Sequence, residues 1–309
     1  ASLGKFANTV TVTAITLDTN TGTAGVEFSA SSSKTITGTI NGLATTEGVV
    51  TVSGTGPTTF ASTIGATQRP SQLTINGATT FQSAVQVGAL TTTAAISNGT
   101  TLDVSGTSSL GANVTTTGTQ TYTGAVTLSA STTLTTTSSA ISFANTVDSS
   151  ASSANSLTFG SGTGDVTFTG AVGGATNGGL GTITNIVGET LTFSGAVTAT
   201  TIANYGTLLF NASSAKTISP NITDNGTTTV QVINSANDVA PGVITFSGTV
   251  AADTITIGNT TNAGSALFNG TVSGTNINVV GGSVSAEASL GKFADTVTVT
   301  AITLDTNTG

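Results

Sequence analysis

The feature that most limits how this chain can fold is a short phrase, aromatic-x-small-x-aliphatic, that returns along its whole length. It reads as Phe6/Val10, Phe60/Ile64, Phe81/Val85, Tyr122/Val126, Phe143/Val147, Phe168/Val172, Phe193/Val197, Phe246/Val250, Phe268/Val272 and Phe293/Val297. Phe28, Leu102 and Phe210 keep the head residue without the aliphatic one that follows. Together these positions divide residues 6 to 292 into twelve rungs, most of them 20 to 25 residues long. Of the 12 Phe residues, only Phe159 falls outside a head. A rung of that size is too short for a domain and fits one coil of a solenoid, in which two or three short strands are joined by turns. The heads are expected to stack in the interior, one above the next.

The residues between the heads support strands. In TVTVTAITL, Thr9 to Leu17, Val10, Val12 and Ala14 fall on one face and Thr9, Thr11 and Thr13 on the other; Val243 to Val250 and Asp253 to Ile257 alternate in the same way. Asn-Gly at Asn41, Asn76, Asn98, Asn225 and Asn269 supplies residues that tolerate positive φ in turns. No stretch has a helical period. Hydrophobic residues make up 37% of the chain and charged residues only 6%, so it has the apolar content to bury a core and lacks the charge excess of a disordered segment. The predicted fold is all-β: a β-solenoid (parallel β-helix) of about twelve coils of roughly 21–25 residues, continuous over residues 1–309.

Two further repeats organise the rungs. Residues 1–22 and 288–309 match at 21 of 22 positions, at an offset of 287, and differ only at Asn8 and Asp295. They predict a tandem unit, 1–287, followed by the start of the next at 288–309; a duplicated tail on a cloned fragment is the alternative. Within the unit, FSASSSKTI at Phe28 to Ile36 matches FNASSAKTI at Phe210 to Ile218, and each opens a long rung, 28–59 and 210–245. These rungs hold Pro57, Pro220 and Pro241, and proline cannot donate to a ladder. They are expected to carry loops or extra coils, with Thr37 to Thr59 and Ser219 to Ile244 as candidate contact surfaces.

The phrases FTGAVGGATNGGLGTITN (Phe168 to Asn185), LTFSGAVTATTI (Leu191 to Ile202) and ITFSGTVAADTITI (Ile244 to Ile257) resemble the β-strand repeats of very large bacterial surface proteins of the filamentous haemagglutinin-like and adhesin type. The resemblance implies a right-handed parallel β-helix, export, a place outside the cell or on its surface, and a role in adhesion, matrix or filament formation.

The chemistry available is narrow. The chain has no Cys, His, Met or Trp, which removes thiolate and imidazole catalysis and any disulfide framework. Five bases (Lys5, Lys34, Arg69, Lys216 and Lys292) against 13 acids give no basic stripe for nucleic acid. Apolar runs are only a few residues long, so no membrane insertion is expected in this segment. The acids Asp18, Glu27, Glu47, Asp103, Asp148 and Asp165 fall in different rungs and phases, which argues against a paired-carboxylate sugar-cleaving site. GSGTGD at Gly160 to Asp165 is half of a calcium nonapeptide, and Asp18 to Gly22 begins like an EF-hand loop but has Ser29 where the distal Glu belongs; Gly-rich and Asx turns account for both. An ice-binding Thr array is not sustained when positions three and five after each Phe are compared.

No catalytic residue, cofactor or metal is therefore assigned. The expected function is structural: a rod-forming, self-associating repeat of a giant fibre or surface filament, whose partners are copies of itself. The alternative is an adhesin stalk binding cells or polysaccharide, with ice binding and a polysaccharide-active β-helix enzyme behind it.

Overall fold

The computed structural model describes residues 3–18, 24–151, 154–175, 178–211, 213–233, 242–281 and 289–305. They are all-β, without a helix, and every strand pairing is parallel, as in a β-solenoid of about 13 turns. By their contacts the residues fall into two compact units: residues 1–145 with 162–164, and residues 146–161 with 165–309.

In the first unit each full coil has three short strands, and each strand lies over its counterpart in the coil before. The first column runs through Leu3–Phe6, Gly25–Phe28, Val49–Val52, Gln72–Ile75, Ala89–Thr92, Ser108–Leu110 and Val126–Leu128. The second runs through Lys34–Gly42, Thr58–Phe60, Thr79–Phe81, Ile96–Asn98, Val114–Thr116 and Thr132–Thr135. The third runs through Val85–Val87, Leu102–Val104, Gln120–Tyr122 and Ile141–Phe143. The second unit repeats this plan. Val166–Phe168, Thr190–Phe193, Thr207–Asn211 and Thr229–Ile233 form one of its columns, and Lys216–Ile218, Ile244–Phe246, Ser265–Phe268 and Leu290–Phe293 another.

Most strands are three or four residues long with an inward-outward-inward pattern, so each contributes two side chains to the core. That explains the recurring phrase. The Phe ends one strand pointing inward, the small residue turns the corner, and the aliphatic residue enters the next face pointing inward. The glycine corners leave no room for a side chain: a Cβ on Gly195 would lie 2.4 Å from the carbonyl oxygen of Gly170, on Gly124 2.3 Å from that of Gly106, and on Gly270 2.5 Å from that of Gly248. The Asn-Gly pairs are corners too, not hairpin turns. Among the described residues only Thr46 and Ser138 are non-glycine positions with positive φ; the Asn residues act through their side chains, as where Asn41 Oδ1 accepts from the Thr67 amide at 3.1 Å.

The aromatic heads do not follow one column. In the first unit Phe6 and Phe28 lie in the first column, Phe60 and Phe81 in the second, Tyr122 and Phe143 in the third. In the second unit Phe168, Phe193 and Phe210 share one column and Phe246, Phe268 and Phe293 another. Partners in register stack, with interplanar angles between 2° and 23°. Partners around a corner meet edge-on: Phe28–Phe60 at 84°, Phe210–Phe246 at 89°, and Phe159–Phe168 at 65°. Both arrangements are favourable for rings about 5 Å apart. Phe159, the one Phe outside a head, is thus also a core ring, 2% exposed. Ten heads are buried, whereas Phe6 is 38% exposed and Phe293 half-buried.

This stepping sets the coil count. Three aromatic steps, from Phe28 to Phe60, from Phe81 to Tyr122 and from Phe210 to Phe246, each advance one face beyond a whole number of coils, and three faces make one coil. The twelve rungs therefore span about 13 turns. The long rungs 28–59 and 210–245 have the same origin. Ile36 lies under Phe60, 24 residues on, which is an ordinary coil; the interval from Ile218 to Phe246 is longer, and residues 234–241, including Pro241, lie outside the described residues. Leu102 marks no aromatic row: it pairs with Val85 and Gln120, while Val104 lies next to Tyr122.

Replacing Phe193, which is stacked at 4.9 Å on Phe168 and at 5.4 Å on Phe210, by Ala is expected to cost about 3–5 kcal/mol in denaturant unfolding. Gly195→Val is expected to cost about 1–3 kcal/mol by overpacking the corner, whereas Val187→Ser, at a residue 79% exposed, changes stability by no more than about 0.5 kcal/mol.

Candidate functional site

The acids that a metal or sugar site would draw on are spread along the solenoid, and most hold a corner. Asp148 Oδ1 accepts from the Ala175 amide at 3.0 Å, Asp165 Oδ1 from the Thr190 amide at 2.9 Å, Asp253 Oδ2 from the Thr228 amide at 3.2 Å, and Glu47 Oε2 from the Ala44 amide at 2.9 Å. In the first two cases and at Asp253 the acceptor and donor lie in successive coils, so the carboxylate ties one corner to the next. Asp103 pairs with Arg69 at 2.5 Å, again between coils. Among the described residues no group of three or more acids forms a metal-binding cluster, and no helix is long and apolar enough to cross a membrane. In the EF-hand-like stretch Asp18 is described, whereas residues 19–22 lie outside the described residues.

Two clusters of buried polar groups are also absorbed by the fold. Gln120 is fully buried; its amide donates to the carbonyls of Val114 (3.2 Å) and Thr135 (2.9 Å), and its Oε1 accepts from the Tyr122 hydroxyl at 3.0 Å. Burial pushes the Tyr122 phenol far above its ordinary range, so it stays a neutral donor. In the second unit Asn185 Nδ2 donates to Asn204 Oδ1 at 3.1 Å, an amide ladder at a corner. These groups bond one another and nearby backbone carbonyls.

What the coils do assemble is on the outside of the first unit. The outward residue of each second-column strand is a hydroxyl: Thr35, Thr59, Thr80, Ser97, Thr115 and Thr135 follow one another in strict register. Thr35, Thr80, Ser97 and Thr115 are exposed, and Thr59 and Thr135 half-buried. A second such column, Thr51, Thr74, Thr91, Ser109 and Thr127, follows Glu27 on the first face. Successive hydroxyls sit about 4.8 Å apart, the spacing of paired strands. In the second unit the counterpart of the second-column row is Thr158, Thr184, Ala203 and Thr223, and another outward row mixes Thr167, Thr192, Leu209, Gln231, Thr256 and Asn278.

Offsets counted from each Phe miss the hydroxyl columns because the aromatic row changes face while the outward row does not. The signal that finds them is the three-residue strand itself: in TTF at Thr58–Phe60 and Thr79–Phe81, ISN at Ile96–Asn98 and VTT at Val114–Thr116, the middle residue is always Thr or Ser. Of the expected contact segments, Thr37 to Thr59 is largely paired strand, with a turn that exposes Leu43 at 58%. No protein family, no curated protein and no solved structure matches this chain.

The charged member of the first face titrates predictably. The Ser53 hydroxyl and the Lys5 ammonium, at 3.1 Å, both donate to Glu27 and hold its carboxyl below the usual range. A lowered folded-state value means that this stabilisation is present above the ordinary carboxylate range and is lost as pH falls through the folded value. Following the Glu27 carboxyl by NMR, Ser53→Ala is expected to move its midpoint upward, toward that of an unperturbed Glu.

Proposed function

We propose that this chain is a structural solenoid segment of an extracellular fibre or surface filament, and that its partners are further copies of itself. The observation that carries this reading is the pair of hydroxyl columns, Thr35 to Thr135 and Thr51 to Thr127, on an exterior with few charges. Each column offers one donor, one acceptor and, at Thr, one methyl group at every coil, so a neighbouring solenoid can match it coil for coil. Sparse charge leaves little repulsion to keep such surfaces apart. The resemblance of residues 168–257 to the repeats of large bacterial surface proteins supports the same assignment and the place outside the cell.

Concentrated chain is expected to form side-by-side bundles of rods in electron micrographs. The double substitution Thr80→Lys and Thr115→Lys, which puts two cations into the second-face column at exposed positions, is expected to disperse them without lowering stability by more than about 0.5 kcal/mol. Bundles that survive this change would remove the hydroxyl column as the lateral contact.

A second reading, ice binding, is favoured by the same six-coil column, whose repeated hydroxyls and methyls present an ordered lattice to water. The two readings separate in one assay: thermal hysteresis and faceted ice crystals from dilute, unbundled chain support the second, and their absence leaves the first.

A further inference from the structure

Six Asn-Gly pairs occur in the sequence, and five of the asparagines, Asn41, Asn76, Asn98, Asn225 and Asn269, are among the described residues. The dipeptide is chemically reactive, because the glycine amide nitrogen, beside a Cα without a side chain, can attack the carboxamide of the asparagine before it. The fold restrains four of the five. The Gly42 amide donates to the Gln68 carbonyl at 3.1 Å, and Asn41 Oδ1 is held by the Thr67 amide. Asn98 is 3% exposed; its Oδ1 accepts from the Thr100 amide and its Nδ2 donates to the Thr101 carbonyl, both at 2.9 Å, while the Gly99 amide donates to the Phe81 carbonyl at 2.7 Å. Gly77 and Gly270 are wedged against the coil before: a Cβ there would lie 2.1 Å from the Gly54 carbonyl oxygen and 2.5 Å from that of Gly248, which leaves their peptides no room to swing.

Asn225–Gly226, at the corner between the strands Asn221–Asp224 and Thr229–Ile233, is built differently. Residues Thr223 to Thr227 are all exposed, and a Cβ on Gly226 would meet nothing within 4 Å. The Gly226 amide donates to a carboxylate, Asp224 Oδ1, at 3.2 Å, and the Thr228 hydroxyl fixes the same oxygen at 3.0 Å. Asn225 Nδ2 donates to Thr223 Oγ1 at 2.8 Å and to the Thr223 carbonyl at 3.3 Å, which sets where the carboxamide lies. In form this is an Asx turn. In chemistry it places a base on the nucleophilic nitrogen and holds the group that nitrogen attacks.

We propose that Asn225 is a self-modification site, at which the folded chain converts its own asparagine to aspartate and isoaspartate with Asp224 as general base. The Gly226 nitrogen bonds to Asn225 Cγ and gives its proton to the Asp224 carboxylate. The Cγ–Nδ2 bond then breaks; the proton returns through solvent to the leaving nitrogen, ammonia departs, and a cyclic imide joins the two residues. Water opens the imide at one carbonyl or the other, giving aspartate or isoaspartate. No oxidant or second protein is needed, and the step is independent of whether the chain bundles. Either product adds a carboxylate to an exterior with few charges. Isoaspartate also lengthens the main chain by one carbon just after the Asn225 amide, which is tied to the Asn204 carbonyl of the coil before at 3.0 Å.

The test is to age the full chain near neutral pH, folded and in denaturant, and to follow each Asn-Gly pair by peptide mass mapping with isoaspartate detection. In denaturant the pairs are expected to convert at similar rates. In the folded chain Asn225 is expected to convert at least as fast as in denaturant, and at least about tenfold faster than Asn98, whose reaction waits on local opening. Asp224→Ala, at an exposed residue, is expected to slow Asn225 by about tenfold in the folded chain, below the usual contribution of a positioned general base. The same substitution in denaturant is expected to change the rate little, which separates a positioned carboxylate from an effect of sequence. Asn225 converting no faster than Asn98 in the folded chain, or more slowly folded than denatured, overturns the site. A folded-state rate at Asn225 that Asp224→Ala leaves unchanged or raises overturns the role of Asp224.

Discussion

Everything in this structure depends on the parallel pairing of successive coils at about 4.8 Å. At that spacing each side chain has an equivalent one directly above and below it, and the only stable neighbours are those that tolerate such closeness. Rings meet that condition by stacking, as Phe168, Phe193 and Phe210 do at 4.9 and 5.4 Å. Aliphatic residues meet it by interdigitating, as along Val50, Leu73 and Leu90. Corners meet it with small residues, and where backbones come closest with glycine, as Gly195 does above Gly170. Ladder geometry thus chooses residue type at three kinds of position, and the recurring aromatic-x-small-x-aliphatic phrase is the trace of that choice in the sequence.

The same constraint explains how much was legible beforehand. Class, parallel pairing, and the interior place of the heads from Phe28 to Phe268 follow from the phrase, because its spacing fixes which residues turn inward. The number of coils does not, because a ring can leave its column at a corner, as Phe60 does after Phe28, and keep an edge-on contact of 5.2 Å. The sequence records the interval but not the face, so one coil and a third reads as one long rung. Phe159 was missed for a related reason: it is an inward ring without a following aliphatic residue at the usual distance. The hydroxyl columns were missed because they are in phase with the strands and not with the aromatics.

The proposed function rests on the outside of the same ladder. A row such as Thr59, Thr80, Ser97 and Thr115 costs the fold nothing, since outward positions on short strands accept any β-former; its regularity therefore has room to serve contact. The carboxylates are spent otherwise, with Asp148, Asp165 and Asp253 each fastening one corner to the next. On the proposed reading, the acids serve the corners and the hydroxyl rows serve contact between neighbouring solenoids.

The account stands on coil-to-coil register, and a chain with no Cys allows that register to be read directly. Thr59 and Thr80 are outward neighbours in successive coils, at a strand spacing of about 4.8 Å that lies inside the range a disulfide spans. Thr59→Cys/Thr80→Cys is predicted to form an intramolecular disulfide quickly and almost completely on mild oxidation, while Thr59→Cys/Ser97→Cys, two coils apart, stays reduced. Equal or faster bridging of the second pair would contradict the register, and with it the stacked parallel coils.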